Sequence, residues 1–179
     1  MIASRAQIAE LARQGMVVAD TEVAIARVGI GAFVRKGVPT PDISSPDAFT
    51  KALLGAKSLA FNDPDHDDTA GAYMQRLIER LGLAEAVRPK LTLTRGGSAG
   101  IVDALTSGKA ELAFYRLVQM DAAIEPGRPL PDLFQGYTLF GAGMAATSPQ
   151  ARASRSLIAF ISSEEAAAVF RSEGLQPFY

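Results

Sequence analysis

Cysteine is absent from the 179-residue chain. This absence excludes disulfide bonds, thiolate metal sites and a cysteine nucleophile, and it suits a cytosolic or a periplasmic protein equally. No run of apolar residues approaches the roughly 20 that a membrane-spanning helix needs. The opening segment MIASRAQIAEL contains no hydrophobic stretch of the kind found in secretion signals. We therefore expect no signal peptide in this chain.

A surplus of positive charge is also missing. The chain has 18 Lys and Arg residues against 19 Asp and Glu residues, which gives a formal net charge of −1. Domains that bind nucleic acid normally carry a basic face or stripe. We therefore predict no nucleic-acid partner. The length and the 48% hydrophobic content instead indicate a globular protein that can bury a sizeable core.

Segments with strand and helix patterns alternate along the chain. Strands are predicted where Val, Ile, Leu and Phe cluster between turn residues, at 22–37, 57–63, 89–94, 110–118 and 136–147. Helices are predicted where apolar residues recur every three to four positions, at 4–14, 46–54, 67–82, 101–108 and 150–163, with a last helix after 163. This order predicts an α/β fold in which helices flank a mainly parallel sheet.

Two turns connect a predicted strand to a predicted helix and are candidates for a binding site. They are residues 62–71, after SLAF, and residues 95–99, after LTLT. In parallel sheets ligands bind beyond the carboxyl ends of the strands, where the free N–H groups of helix N-termini suit anions and polar groups. The glycine-rich segment RGGSAG (95–100) lacks the lysine of a P-loop and the spacing of a dinucleotide fingerprint. It fits a backbone oxyanion site or a tight turn equally well.

The acidic stretch NDPDHDDTAGAY (62–73) allows three interpretations. Asp67, Asp68 or Thr69 could cap the following helix, while the other acids offset its positive end. The turn could also border a polar ligand, or it could hold a hard metal ion.

The metal interpretation of this turn is the weakest. Asp63 and His66 are its weak candidates, because the spacing does not match a calcium-binding loop and adjacent side chains do not converge easily. His66 has no nucleophile that the sequence pairs with it, so we do not predict a general base. We therefore predict a protein that is not an enzyme, with no catalytic residue, no metal and no cofactor.

Tyr115 is a further candidate, since it lies in the apolar strand segment LAFYRLV. A buried phenol needs a hydrogen-bond partner, either a backbone group of the core or a ligand in a cleft. The alternation of side chains along a regular strand predicts that Arg116 points to the opposite face.

Several stretches resemble the periplasmic molybdate-binding proteins of ABC transporters. They are SLAFNDPDHDDTAGAYMQRLIERLGL, ALTSGKAELAFY and GAGMAATSPQARASRSLIAFISSEEAAAVFRSEGL, and the resemblance covers nearly the whole chain. It implies a type II periplasmic-binding-protein fold with two lobes and a small solute or oxyanion, such as molybdate or tungstate, in the interlobe cleft. It also implies an ABC permease as partner, a periplasmic location and no catalytic chemistry.

The resemblance carries over to particular residues and boundaries. It implies ligand binding by backbone N–H groups and hydroxyls at Thr69, Ala70, Gly71, Gly97, Ser98 and Tyr115. It places residues 1–30 and 136–179 in a partial first lobe and residues 31–135 in the second lobe. The chain would cross between them near 25–35 and 130–142.

Two alternatives follow from the same comparison with the family. An incomplete first lobe would expose a sheet edge, so a homodimer through that edge is one expectation. A degenerate module of the same fold, acting by oligomerisation after losing its solute site, is the other functional candidate. Asp65, Asp67 and Asp68 beside the first turn favour a neutral, zwitterionic or cationic solute over a dianion.

Overall fold

A computed structural model describes residues 1–66 and 69–179, except for the side chain of Thr69. The strands are β1 (Ile2–Ser4), β2 (Val23–Phe33), β3 (Leu59–Asn62), β4 (Leu91–Thr94), β5 (Leu112–Arg116), β6 (Arg128–Pro129), β7 (Tyr137–Ala142) and β8 (Gln176–Pro177). The helices are α1 (Arg5–Arg13), α2 (Pro46–Gly55), α3 (Thr69–Arg80), α4 (Ala84–Val87), α5 (Ser98–Thr106), α6 (Ala151–Ile161) and α7 (Glu164–Ser172). None of the helices in this described part is both long and apolar enough to cross a membrane.

The chain folds into two compact units. The first unit contains Met1–Val28 and Tyr137–Tyr179, and the second contains Gly29–Gly136. Strand β2 starts in the first unit and ends in the second, and the chain returns to the first unit after Gly136. The identification of these units as the lobes of a binding protein stays a prediction.

Strand β3 lies in the middle of the second unit's sheet. It pairs in parallel with β4, where Asn62 lies opposite Thr94, and in parallel with β5. The last residues of β2 pair antiparallel with β5, with Gly31 opposite Tyr115. Parallel neighbours need crossover connections, which α3 and α5 supply for β3, β4 and β5. The predicted α/β class is thus confirmed, but the sheet is mixed rather than mainly parallel because β2 runs the other way.

The core of the second unit forms between this sheet and the helices α2, α3 and α5. Phe49 of α2 is completely buried, and its ring packs against Phe114 at 5.8 Å and Phe134 at 5.6 Å between centroids. On α3, Met74 and Leu77 are buried, as the helical spacing predicts. This packing fixes the helices on the sheet and so sets the positions of their N-termini.

The first unit has a smaller core around Ile25, Ala26, Ala142 and Ile161. Strand β1 pairs antiparallel with β7, and β8 pairs antiparallel with the first half of β2. Helices α6 and α7 expose large apolar side chains, among them Leu157, Phe160 and Val169. The homodimer through an exposed sheet edge, which the sequence leads us to expect, stays a prediction.

Candidate functional site

Two strand-to-helix turns leave the second unit's sheet side by side. Asn62 ends β3 and Thr94 ends β4, both are buried, and the Thr94 hydroxyl donates a 2.6 Å hydrogen bond to Asn62 Oδ1. The backbone N–H of Asp63 donates to the Thr94 carbonyl oxygen at 2.8 Å. Helices α3 and α5 therefore begin at the same edge of the sheet, which is the arrangement expected for a ligand site in this fold class.

A glycine at the third position of each helix allows this close approach. A Cβ atom at Gly71 would lie 1.9 Å from the carbonyl oxygen of Asn62, and one at Gly100 would lie 2.1 Å from the carbonyl oxygen of Arg95. Neither carbonyl can move without disturbing the end of its strand. The segments Thr-Ala-Gly and Ser-Ala-Gly are thus equivalent packing elements, in which only glycine fits the third position.

The N-terminus of α5 opens next to the hydroxyl of Tyr115. Gly97 is the N-cap residue with φ of 65°, so the first turn of α5 receives no hydrogen bond from a cap side chain. A Cβ atom at Gly97 would lie 3.2 Å from the Tyr115 hydroxyl oxygen, and Tyr115 is only 4% exposed. The structure therefore brings Gly97, Ser98 and Tyr115 together, although their role in ligand binding stays a prediction.

Arg116 is the residue at this site that the sequence pattern missed. Its guanidinium carbon lies 4.7 Å from the centroid of the Tyr115 ring, and its Nη2 donates a hydrogen bond to the Tyr115 hydroxyl. The prediction that Arg116 points away from Tyr115 is therefore wrong. The side chain is long enough to bend back at the end of β5, where the strict alternation of a strand no longer constrains it.

The Asp63 carboxylate holds the acidic turn against the end of β4. It accepts hydrogen bonds from the Asp65 backbone N–H at 3.1 Å and from Arg95 Nε and Nη2 at 3.3 and 3.2 Å. His66 Nδ1 lies 2.9 Å from the same carboxylate. The Asp65 hydrogen bond is the largest cause that lowers the pKa of Asp63, and the hydrogen bond and positive charge of Arg95 lower it further. Asp63 is thus a structural link that carries little uncompensated negative charge.

The same contacts bear on the metal interpretation of this turn. The guanidinium of Arg95 and the ring of His66 both bind the Asp63 carboxylate, where a metal ion would have to approach. Within residues 1–66 and 69–179, no group of three or more His, Asp or Glu side chains is arranged to hold a metal ion. Asp67 and Asp68, the predicted helix caps, lie outside the described residues.

Helix α3 supplies the other predicted ligand-binding residues. Ala70 and Gly71 are buried at its start, where Gly71 packs on the end of β3. Thr69 is the first residue of the helix, and its side chain lies outside the description. Solute binding by Thr69, Ala70 and Gly71 stays a prediction.

An open cavity of about 440 Å³ adjoins the first turn of α5. The residues that line it include Ser98, Asp103, Met120 and Asp121. Asp103 pairs with Lys109 Nζ at 2.9 Å, and Asp121 accepts a 2.8 Å hydrogen bond from the backbone N–H of Ala123. The volume is in the range of small-molecule sites, which are about 300–1,000 Å³.

We expect the variant Asp63→Asn to be less stable than the wild type at pH 7, by an amount that shrinks on acidification. The folded-state pKa of Asp63 lies below its ordinary value of 3.8, so the carboxylate stabilises the fold above that value. This contribution is lost as the pH falls through the lowered pKa. Thermal unfolding of both proteins between pH 7 and pH 2.5 measures the difference.

The matched control for Asp63 is Asp103→Asn, which removes an exposed carboxylate that pairs with Lys109. Exposed ion pairs contribute little, so we expect a smaller loss of stability at pH 7. A stability difference between wild type and Asp63→Asn that is constant across the pH range would contradict the assigned role of Asp63.

Residues 1–176 match the family described as bacterial extracellular solute-binding protein, and the chain belongs to this family. The chain is similar in sequence to the aconitate isomerase of a Pseudomonas species, with 32% identity over 171 residues. That alignment covers 94% of this chain and 63% of the relative. The chain thus spans less than two thirds of the length of this relative.

Several solved structures share the fold. The substrate-binding domain of a molybdenum ABC transporter from Clostridium difficile superposes with a TM-score of 0.79 and 17% identity, over 99% of this chain and 76% of that one. The periplasmic molybdate-binding protein of Azotobacter vinelandii superposes with a TM-score of 0.74 and 17% identity, over 97% of this chain and 75% of that one. For a phosphate ABC transporter substrate-binding protein from Clostridium perfringens, with bound phosphate, the TM-score is 0.65 and the identity 17%, over 99% of this chain and 78% of that one. These likenesses confirm the predicted periplasmic-binding-protein fold.

Proposed function

We propose that this chain binds a small anionic solute at the first turn of α5, as the solute-binding component of an ABC transporter. The observation that carries the proposal is the buried Tyr115 hydroxyl beside the N-terminus of α5, which has no side-chain cap. Backbone N–H groups at a helix N-terminus, together with the helix dipole, favour negatively charged groups. Ser98 lies at this turn and adds a hydroxyl that is accessible to solvent.

The Tyr115 hydroxyl is suited to donate a hydrogen bond to the solute. It accepts a hydrogen bond from Arg116, and it donates none within residues 1–66 and 69–179. Because a buried phenol normally uses both its donor and its acceptor, a solute oxygen is a fitting partner for this proton. Because Gly97 has no Cβ atom, no side chain of this residue stands between its backbone and the hydroxyl.

The names of similar proteins support an anionic solute. They include a molybdate-binding protein, a structure with bound phosphate and an aconitate isomerase. Molybdate, phosphate and aconitate are all anions in neutral water. The sequence favours a neutral, zwitterionic or cationic solute because of Asp65, Asp67 and Asp68. We prefer an anion because Arg116 adds a positive charge beside Tyr115, at the start of the other helix.

The remaining parts of the proposal follow from the fold family. The start of α3, with Thr69, Ala70 and Gly71, forms a second part of the site, because α3 follows β3 and β3 pairs with β4. The two compact units are the two lobes, the partner is an ABC permease, and the location is the periplasm. A degenerate module that has lost its solute site and acts as a homodimer is the alternative.

A second candidate function is isomerisation of a small carboxylic acid. It rests on the relative that is named aconitate isomerase and is 32% identical over 171 residues. Incubation with cis- and trans-aconitate, followed by proton NMR, tests this candidate. Interconversion that depends on the protein would support an enzyme, while unchanged spectra over days would leave solute binding as the function.

Isothermal titration calorimetry tests the proposed binding function. The panel contains molybdate, tungstate, sulfate, phosphate, citrate and both aconitate isomers, with L-lysine as a cationic solute. We expect saturable heat with at least one anion and none with lysine. Absence of heat, and of any thermal shift, with every anion would refute the proposal for this chain.

We expect Tyr115→Phe to weaken binding of the active anion about tenfold or more. A hydrogen bond to a charged group contributes about 1.5–3 kcal/mol, while the phenylalanine ring keeps the buried volume. Titration of the variant with the same anion measures the loss. The matched control is Tyr137→Phe, an exposed tyrosine of the first unit whose ring also lies under an arginine, Arg27. Equal affinity of wild type and Tyr115→Phe would remove the hydroxyl from the site.

A further inference from the structure

Arg116 packs against an aromatic ring and a hydroxyl group. It is half-buried at the end of β5, where its guanidinium lies on the ring of Tyr115 and donates to that residue's hydroxyl. Its contacts are thus an uncharged ring and an uncharged hydroxyl. Stacking on an aromatic face orients the guanidinium plane, which reduces the conformational entropy lost when the group binds a partner.

The charge of Arg116 is not balanced within the described part of the chain. Among residues 1–66 and 69–179, some arginines pair with carboxylates, for example Arg95 with Asp63. None of the ion pairs among residues 1–66 and 69–179 includes Arg116. Removing part of a cation's hydration without supplying a counter-ion is unfavourable, so this group gains from an added anion.

The unused donors of Arg116 define the chemistry of that anion. A guanidinium has five N–H donors in one plane, and the structure uses one nitrogen, Nη2, on the Tyr115 hydroxyl. A planar carboxylate can accept two parallel hydrogen bonds from such a fork, and both of its bonds are then charge-assisted. The Tyr115 hydroxyl lies next to Gly97 and accepts a hydrogen bond from Arg116. A solute bound at the first turn of α5 is therefore also close to Arg116.

We propose that Arg116 is a solute-binding residue that takes a carboxylate of an organic anion. This inference rests on the proposed solute-binding function, because it assigns the charge and class of the solute at the same site. Tyr115 serves as the platform that positions the guanidinium. An organic anion with two or more carboxylates can then reach both Arg116 and the N-terminus of α5.

Calorimetry with citrate, succinate, phosphate and molybdate tests this assignment on the wild type, Arg116→Gln and Arg116→Lys. We expect the wild type to bind citrate or succinate. Arg116→Gln weakens that binding at least tenfold, and Arg116→Lys weakens it less because the charge remains. The control Arg27→Gln removes an arginine that also lies on a tyrosine ring, Tyr137, and leaves affinity unchanged.

Binding in the Tyr115→Phe background separates direct contact from positioning of Tyr115. If Arg116 contacts the solute, Arg116→Gln still weakens binding in that background. If the second substitution has no further effect, Arg116 acts only through Tyr115 and the inference is wrong. Arg116→Lys provides a folded comparison should Arg116→Gln lower the melting temperature.

The outcomes distinguish this inference from the proposed function. Binding of phosphate or molybdate without binding of any carboxylate, or equal affinities of wild type and Arg116→Gln, overturns the role of Arg116 while solute binding stands. Absence of binding by the wild-type protein to any anion overturns both. Loss of carboxylate binding in Arg116→Gln, with phosphate binding unchanged, supports the assignment.

Discussion

Gly100→Ala is expected to lower the free energy of unfolding by about 3 kcal/mol, at the upper end of typical overpacking effects. The new methyl group would lie 2.1 Å from the carbonyl oxygen of Arg95, and this oxygen belongs to the backbone at the end of β4. Relief requires α5 to move away from the sheet. Because Gly97 and Ser98 begin that helix, we also expect anion binding to fall more than tenfold.

The control for Gly100 is Gly55→Ala. Gly55 lies at the end of α2, and a Cβ atom there would have no atom within 4 Å. Alanine is favoured over glycine in helices by about 1 kcal/mol, so this variant should be as stable as the wild type or slightly more stable. Urea unfolding of the three proteins provides the comparison. Equal midpoints for Gly100→Ala and the wild type would show that α5 does not depend on this close approach.

Phe49→Ala is expected to cost about 3–5 kcal/mol of folding free energy, as for other buried aromatic residues. Phe49 is fully buried and contacts the rings of Phe114 and Phe134, so its removal leaves a cavity that these rings cannot fill without moving. For a domain of this size, each kcal/mol corresponds to about 2–4 °C in melting temperature. We therefore expect a decrease of about 10 °C in calorimetric scans.

Phe160→Ala is the matched control for Phe49, because the Phe160 side chain is 50% exposed on α6. Surface substitutions usually change stability by no more than about 0.5 kcal/mol. A small effect at Phe49, comparable to that at Phe160, would mean that α2 is not fixed on the sheet by this aromatic cluster.

The sequence predicts the order of elements well because their signals are local. The apolar spacing of α3 correctly places Met74 and Leu77 in the core, and the strand pattern correctly places Tyr115 there. The direction of β2 was not predictable in the same way. Its antiparallel pairing with β5 joins Gly31 to Tyr115, and no local pattern encodes a partner so far along the chain.

The sequence predicts the two turns of the candidate site, but it does not predict the contacts of the charged side chains around them. The two glycine-containing turns were found because strand and helix signals flank them. The pairing of Asp63 with Arg95 links residues 32 positions apart, and the return of Arg116 onto Tyr115 depends on side-chain conformation. The adjacent Tyr-Arg pair at the end of a buried strand was the one available signal. For the glycines, the structure adds a packing role that sequence spacing alone does not reveal.

Backbone amide NMR during an anion titration tests the central claim most directly. The claim is that the solute binds where α5 begins, next to Tyr115 and Arg116. With citrate as the probe, we predict that the largest saturable shifts occur at Gly97, Ser98 and Tyr115, and that Tyr115→Phe reduces them. Saturable shifts confined to other parts of the chain, or no shifts with citrate, phosphate or molybdate, would contradict this account.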